Sequence, residues 1–203
     1  AGLAFGATVP MGTGTVSSEI SALRDQDGVF GMDLGGGSGA MGSVSAKVAL
    51  AQPIGAGMEL AIAAEVGRIE AQATGLVTAL NGMAYNSASA ALVQRSVLRR
   101  GDRLSLFVQT PLAAVSGQVQ MAVPVPRTSL AAAAAAAAEP AAAFDTISVS
   151  VTPAARQFDL GFEYLMPLSD QSDMVLAYAL QSNAGNIAGR EDQLALLGWR
   201  MRF

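Results

Sequence analysis

The chain has 203 residues, 51% of them hydrophobic and only 14% charged, against about a quarter charged in an ordinary soluble domain. It contains no Cys and no His, which excludes disulfide staples, thiolate metal sites and His-dependent nucleophilic catalysis within it. A net charge of -4 lacks the basic footprint of a nucleic-acid binder, and the apolar content excludes a disordered chain.

The chain opens Ala1-Gly2-Leu3, without a Met or a basic leader segment, and so reads as a mature or excised piece. Residues 3–9 are a candidate strand, but 1–27 as a whole look irregular. Ser18 to Asp27 gathers most of the local charge. It predicts a short helix plugging a lumen, or a linker left by cleavage. The regular part is expected over 28–203. A strand at 28–34 puts Phe30, Met32 and Leu34 opposite Asp33. The glycine cluster 35–39 lacks the Gly-Lys-Ser/Thr ending of a phosphate cradle and reads as a surface turn.

Strands follow at 42–50 and 57–68. In the second, Met58, Leu60, Ile62, Ala64 and Val66 alternate with Glu59 and Glu65, although Glu65, Arg68 and Gln72 also suit an amphipathic helix. A strand at 84–97 precedes one at 103–111, where Leu104, Leu106 and Val108 alternate with Arg103, Ser105, Phe107 and Gln109. Val115-Ser116-Gly117 reads as a turn before a strand at 117–125. The alanine run 131–138 reads as a helix, a linker, or a placeholder for unassigned residues. Further strands are expected at 145–152, 157–166, 173–181 and 192–203. Phe158, Leu160, Phe162, Tyr164 and Met166 alternate with Asp159 and Glu163. Leu197, Trp199, Met201 and Phe203 alternate with Arg200 and Arg202.

Two charge-free stretches, 71–94 and 104–126, are long enough for a spanning helix, but the first is rich in Asn, Gln and Ser and the second carries Pro111, Pro124 and Pro126. The expected strands run longer than the five or six residues usual in soluble sheets and match the roughly 9–11 of tilted membrane strands. The pattern therefore predicts an all-β fold, an antiparallel transmembrane β-barrel of the outer-membrane type with roughly 10–12 strands. Its lumen would be lined by Glu59, Glu65, Arg103, Asp159, Glu163, Arg200 and Arg202. Trp199, Met201 and Phe203 would face lipid, and a chain that stops on Phe203 with this alternation resembles the terminal assembly signal of bacterial outer-membrane barrels. Placing Phe203 at the periplasmic end makes 167–172 a short periplasmic turn and puts 70–83 and 182–191 outside. It also leaves 126–144, awkwardly, in the periplasm.

Several segments carry a family resemblance: Gly101-Asp102-Arg103-Leu104-Ser105-Leu106, Gln109-Thr110-Pro111-Leu112, Ser116-Gly117, and Pro153 through Leu160. Glu163-Tyr164, Pro167-Leu168 and Leu197-Gly198-Trp199-Arg200-Met201-Arg202-Phe203 complete the set, with 28–33 a weaker echo. Over 101–203 the chain resembles the carboxy-terminal region of autotransporter-like subtilisin-family (S8) serine peptidases of alphaproteobacteria. One departure is Asn183-Ala184-Gly185-Asn186, where that family often carries a His. The resemblance implies a translocator or anchor domain in the outer membrane of a Gram-negative bacterium, active in protein secretion. It implies outer-membrane lipid, the barrel assembly machinery and an attached passenger as partners. The passenger would be a subtilisin-like peptidase that is not in this chain. No enzyme activity, cofactor, metal or nucleic acid is expected. A stand-alone small porin and a soluble all-β interaction module are the competing readings.

Overall fold

The computed structural model describes residues 1–25, 41–72, 77–124 and 144–201. Among the described residues ten strands make up one antiparallel sheet. They are β1 (Gly2–Met11), β2 (Gly14–Asp25), β3 (Met41–Gly55), β4 (Met58–Gln72), β5 (Val77–Arg95), β6 (Arg103–Pro124), β7 (Phe144–Ser150), β8 (Phe158–Ser169), β9 (Ser172–Ser182) and β10 (Glu191–Met201). Hydrogen-bonded neighbours follow the order β1-β2-β3-β4-β5-β6-β8-β9-β10. Strand β7 pairs with residues 118–124 of β6, and β8 pairs with residues 103–109. The two therefore occupy one column in succession, interrupted by residues 151–157.

The first segment differs from expectation. Residues 14–25 form a full strand in register with both β1 and β3, so Ser18 to Asp25 is neither helix nor plug. Ser17, Ser18 and Ser21 lower the contrast between its faces, which hides the alternation from the sequence. The expected strand at 28–34, the glycine cluster and the alanine run lie outside the described residues, as do Arg202 and Phe203.

The expected turn at 115–117 is also absent. Residues 103–124 form one strand, paired with β5 from Arg103 to Met121. Gly117 takes φ +136°, which a glycine tolerates, and the register shifts by bulges rather than breaking. Nor does the chain reverse at 151–157, since β7 and β8 run the same way beside β6, so the stretch between these two missing reversals changes ends. The connection 125–143 therefore leaves from the same end as 26–40, 73–76 and 183–190, and the awkward placement disappears. The opposite end carries Gly12-Thr13, Ala56-Gly57, residues 96–102 and Asp170-Gln171, and β10 runs toward it. At the β3–β4 hairpin both Ala56 (φ +48°) and Gly57 (φ +76°) are left-handed, as a two-residue turn that matches strand twist requires.

Strands β4 and β5 also run further than expected, meeting across 73–76 where a longer loop was foreseen. Among the described residues, β1 and β10 each pair on one side only, and they run in the same direction. There, too, no helix is long and apolar enough to cross a membrane.

Candidate functional site

Successive strand side chains point to opposite faces, so register assigns every paired residue to one face of the sheet. One face is apolar. It presents Leu3, Phe5, Val9 and Met11 from β1, Val16 and Ile20 from β2, and Val44 and Val48 from β3. Ile62 and Val66 of β4, Leu92 of β5 and Leu106 of β6 continue it. Leu160 of β8, Leu176 and Leu180 of β9, and Leu197, Trp199 and Met201 of β10 complete it. The rings of Phe162 and Tyr178 lie on the same face with centroids 6.2 Å apart.

The other face is mostly polar or small, with Leu23 of β2 and Leu194 and Leu196 of β10 as exposed apolar exceptions. Glu19, Lys47 and Glu65 stand directly opposite one another across β2, β3 and β4. Farther along, Glu59 meets Arg95 at 3.5 Å, Arg103 meets Glu163 at 3.0 Å, and Arg200 meets Asp173 at 2.6 Å. Asp159 accepts a hydrogen bond from Gln109 and another from Gln157. Gly67 lies under the Tyr85 ring and Gly161 under the Phe107 ring, so neither position has room for a Cβ.

Exposure is the reverse of that in a soluble sheet. Phe5 is 73% exposed and Trp199 69%, while Asp159 is 3% exposed and Asp173 7%. In β4 the even-numbered apolar positions 60–66 alternate with the less exposed odd-numbered ones over most of that stretch. The sheet curls toward its polar face. Thr15 and Ser17 of β2 share a cavity of about 210 Å³ with Ser89 and Ala91 of β5, although a flat sheet would hold them about 14 Å apart. A second cavity, of about 350 Å³, lies among Lys47, Glu65, Ser87, Ser89 and Gln109. A third, of about 460 Å³, is lined by Arg95, Asp102, Arg103 and Arg200 near the tight-turn end.

The polar face changes character toward the other end. Bulges between β5 and β6 shift the register, and each inserted residue moves the following side chains to the opposite face. Ile69, Met83 and Tyr85 stand on this side by unbroken alternation from Glu65 and Gly67, and with Ala71 and Leu80 they form a buried apolar cluster, with Val119 and Val151 packed against it.

Of the residues expected to line a lumen, Glu59, Glu65, Arg103, Asp159, Glu163 and Arg200 all share the polar face, and Trp199 and Met201 lie on the apolar one. Arg202 and Phe203 lie outside the described residues. Sequence reasoning missed Lys47, Arg95 and Asp173. Lys47 was legible from its alternation with Val44 and Val48. Arg95 and Asp173 stand at strand ends, where the period gives no cue and only the cross-strand partner identifies them.

Asp102 was missed in its role. It closes the turn after β5, 1% exposed, accepting the backbone N–H groups of Val97, Leu98 and Arg99 and the Tyr164 hydroxyl. Burial pushes the carboxyl pKa up, but the Tyr164 and backbone hydrogen bonds outweigh it and hold the group at about 2. Among the described residues no group of His, Cys, Asp and Glu is placed to hold a metal ion. No family model matches the chain, and neither the curated proteins nor the solved structures contain a match to it.

Proposed function

We propose that the chain is the wall of an outer-membrane β-barrel, serving as translocator or anchor of an autotransporter-like secreted protein. The observation that carries the membrane part is the exposed apolar face. It extends over nine neighbouring strands, while the carboxylates and guanidiniums opposite pair with one another. In water such a face would be an association liability, because monomers rarely expose apolar patches above a few hundred Å². Against acyl chains it is the matching solvent, and a closed strand wall is the only sheet that leaves no unpaired edge groups in lipid.

The two ends fit the same orientation. Bacterial barrels keep short turns on the periplasmic side and longer loops outside. Here the tight turns 12–13, 56–57 and 170–171 share one end and the connections 125–143 and 183–190 share the other. Since β1 and β10 run in the same direction, the ring closes through one parallel seam between them, or through an odd number of further strands.

The translocator role rests on the resemblance over 101–203. It requires no bond chemistry of this chain: the work lies in the hydrogen-bonded wall and the charged inner face. The test is extraction of the native protein. A membrane barrel stays with lipid in alkaline carbonate, needs detergent, and migrates differently on gels before and after heating. A chain that dissolves without detergent and shows no heat-dependent mobility refutes the membrane part. For the secretion part, mass spectrometry of the extracted protein is expected to find a subtilisin-like passenger attached or encoded upstream. A signal peptide directly before this sequence refutes it in favour of a stand-alone porin.

A further inference from the structure

Among the described residues four reversals close the tight-turn end of the sheet. Three of them, 12–13, 56–57 and 170–171, take two residues each, and the fourth, 96–102, takes seven. The fourth is longer but not loose. The Asp102 carboxylate accepts the N–H groups of Val97, Leu98 and Arg99 at 2.6, 2.9 and 2.8 Å, and Ser96 donates its N–H to the Asp102 carbonyl. Ser96 is held left-handed at φ +57°, a conformation that residues with a Cβ pay to adopt. What this rigid frame presents is apolar. Leu98 is 77% exposed, more than any other large apolar side chain among the described residues, and Val97 beside it is exposed as well. Arg99 and Arg100 follow, both exposed and without an ion pair among the described residues. Of the three short turns only 170–171 carries a charge, Asp170. The 96–102 turn leans to the apolar side of the sheet. By register Tyr164 shares the apolar face with Leu104 and Leu176, and its hydroxyl donates to the Asp102 carboxylate at 2.6 Å. The Arg99 charge acts on the same hydroxyl. Residues 97–99, gathered on that carboxylate, therefore stand at the rim of the apolar face.

We infer that the 96–102 turn is a membrane-surface anchor, in which Val97 and Leu98 enter the headgroup boundary of the leaflet on the tight-turn side and Arg99 and Arg100 bind the phosphates of anionic phospholipids. The inference rests on the barrel reading, which puts the adjoining apolar face in lipid. Three features select this occupant. An apolar tip beside two guanidiniums matches a surface whose phosphates overlie acyl chains, and arginine holds phosphate through paired N–H donors. The tip is continuous with the apolar face, so one surface serves both. The backbone is already locked by Asp102, so binding costs little further ordering.

The experiment uses the full chain refolded into vesicles of phosphatidylcholine and phosphatidylglycerol, each variant first shown to be folded by heat-dependent gel mobility. The chain has one tryptophan. A Trp199→Phe background carrying Leu98→Trp therefore reports the tip alone, and the same background carrying Val48→Trp reports the middle of the apolar face. Brominated lipids quench tryptophan on contact. Leu98→Trp is expected to be quenched best by bromines near the headgroup, and Val48→Trp by bromines deep in the acyl chain. Brominated phosphatidylglycerol should be preferred over brominated phosphatidylcholine at the tip. Arg99→Gln and Arg100→Gln should each lower that preference about fivefold, the equivalent of about 1 kcal/mol per arginine at an anionic surface. If Val48→Trp is quenched by lipid while Leu98→Trp is reached only by aqueous acrylamide, the inference is overturned and the tip is left for a protein partner. It is overturned too if the two headgroups quench Leu98→Trp equally, or if their ratio ignores both arginine changes. If neither lipid quenches Val48→Trp, the barrel reading itself fails and takes the anchor with it.

Discussion

The orientation of the sheet predicts opposite outcomes for neighbouring positions on its two faces. Val48 stands on the apolar face of β3, and Ala63, beside its partner Ala64 on β4, stands on the polar face. At about 3.3 Å per residue Val48 is about 23 Å along the strand from Gly55. A strand tilt of about 40° brings that to about 18 Å above the turn. With the turn a few ångström clear of an apolar band about 25 Å tall, Val48 lies near the midplane. An arginine there costs about 2–4 kcal/mol, or about 30- to 900-fold in the folding equilibrium. Ala63→Arg enters the space between two cavities, next to Glu65, and should cost no more than about 0.5 kcal/mol. The assay is urea unfolding from lipid vesicles, followed by emission of Trp199, the one tryptophan of the chain, itself on the apolar face. The reasoning is refuted if Val48→Arg unfolds at the wild-type midpoint or if Ala63→Arg is the more damaging change.

Three further outcomes follow from local geometry. At the β3–β4 turn, Ala56→Asn should raise stability by about 0.5–1 kcal/mol, since an alanine at φ +48° carries a steric cost that asparagine largely avoids; an unchanged urea midpoint would count against the turn assignment. Gly161→Val should destabilise by about 1–3 kcal/mol, because its side chain would overlap the Phe107 ring and the Tyr178 carbonyl, whereas Gly185→Ala meets no neighbour and should cost only what its positive φ imposes. The Asp102 turn should respond to acid in one direction. Its folded-state pKa lies below the ordinary 3.8, so its contribution is complete above about pH 4 and is lost as pH falls toward and through about 2. Amide exchange at Val97, Leu98 and Arg99 should therefore stay slow at pH 4 and lose protection near pH 2, and Asp102→Ala should abolish the protection at every pH.

The period of two was legible wherever large apolar residues alternate with charges. That covers β4, β8 and β10, and with them Glu59, Glu65, Asp159, Glu163, Arg200, Trp199 and Met201 on their respective faces. It failed where side chains are small. In β2, serines occupy positions on both faces, so propensity and pattern carry no contrast, and only pairing with β1 and β3 makes the segment a strand. It failed again at 111–117, where proline and glycine signal a turn in isolation. There the long partner β5 holds the backbone extended and bulges absorb the misfit.

The sequence by itself determined that this chain makes long antiparallel strands with one oily and one polar side, because alternation is a local property of the backbone. The tertiary structure alone decided which side is covered, since curvature arises from the whole sheet and not from any one strand. Joining β6 into one strand was likewise a matter of pairing. That change, together with β7 and β8 running the same way along β6, moved 125–143 to the end where the other long connections lie, and it rests on contacts that no reading of neighbours in the chain could supply.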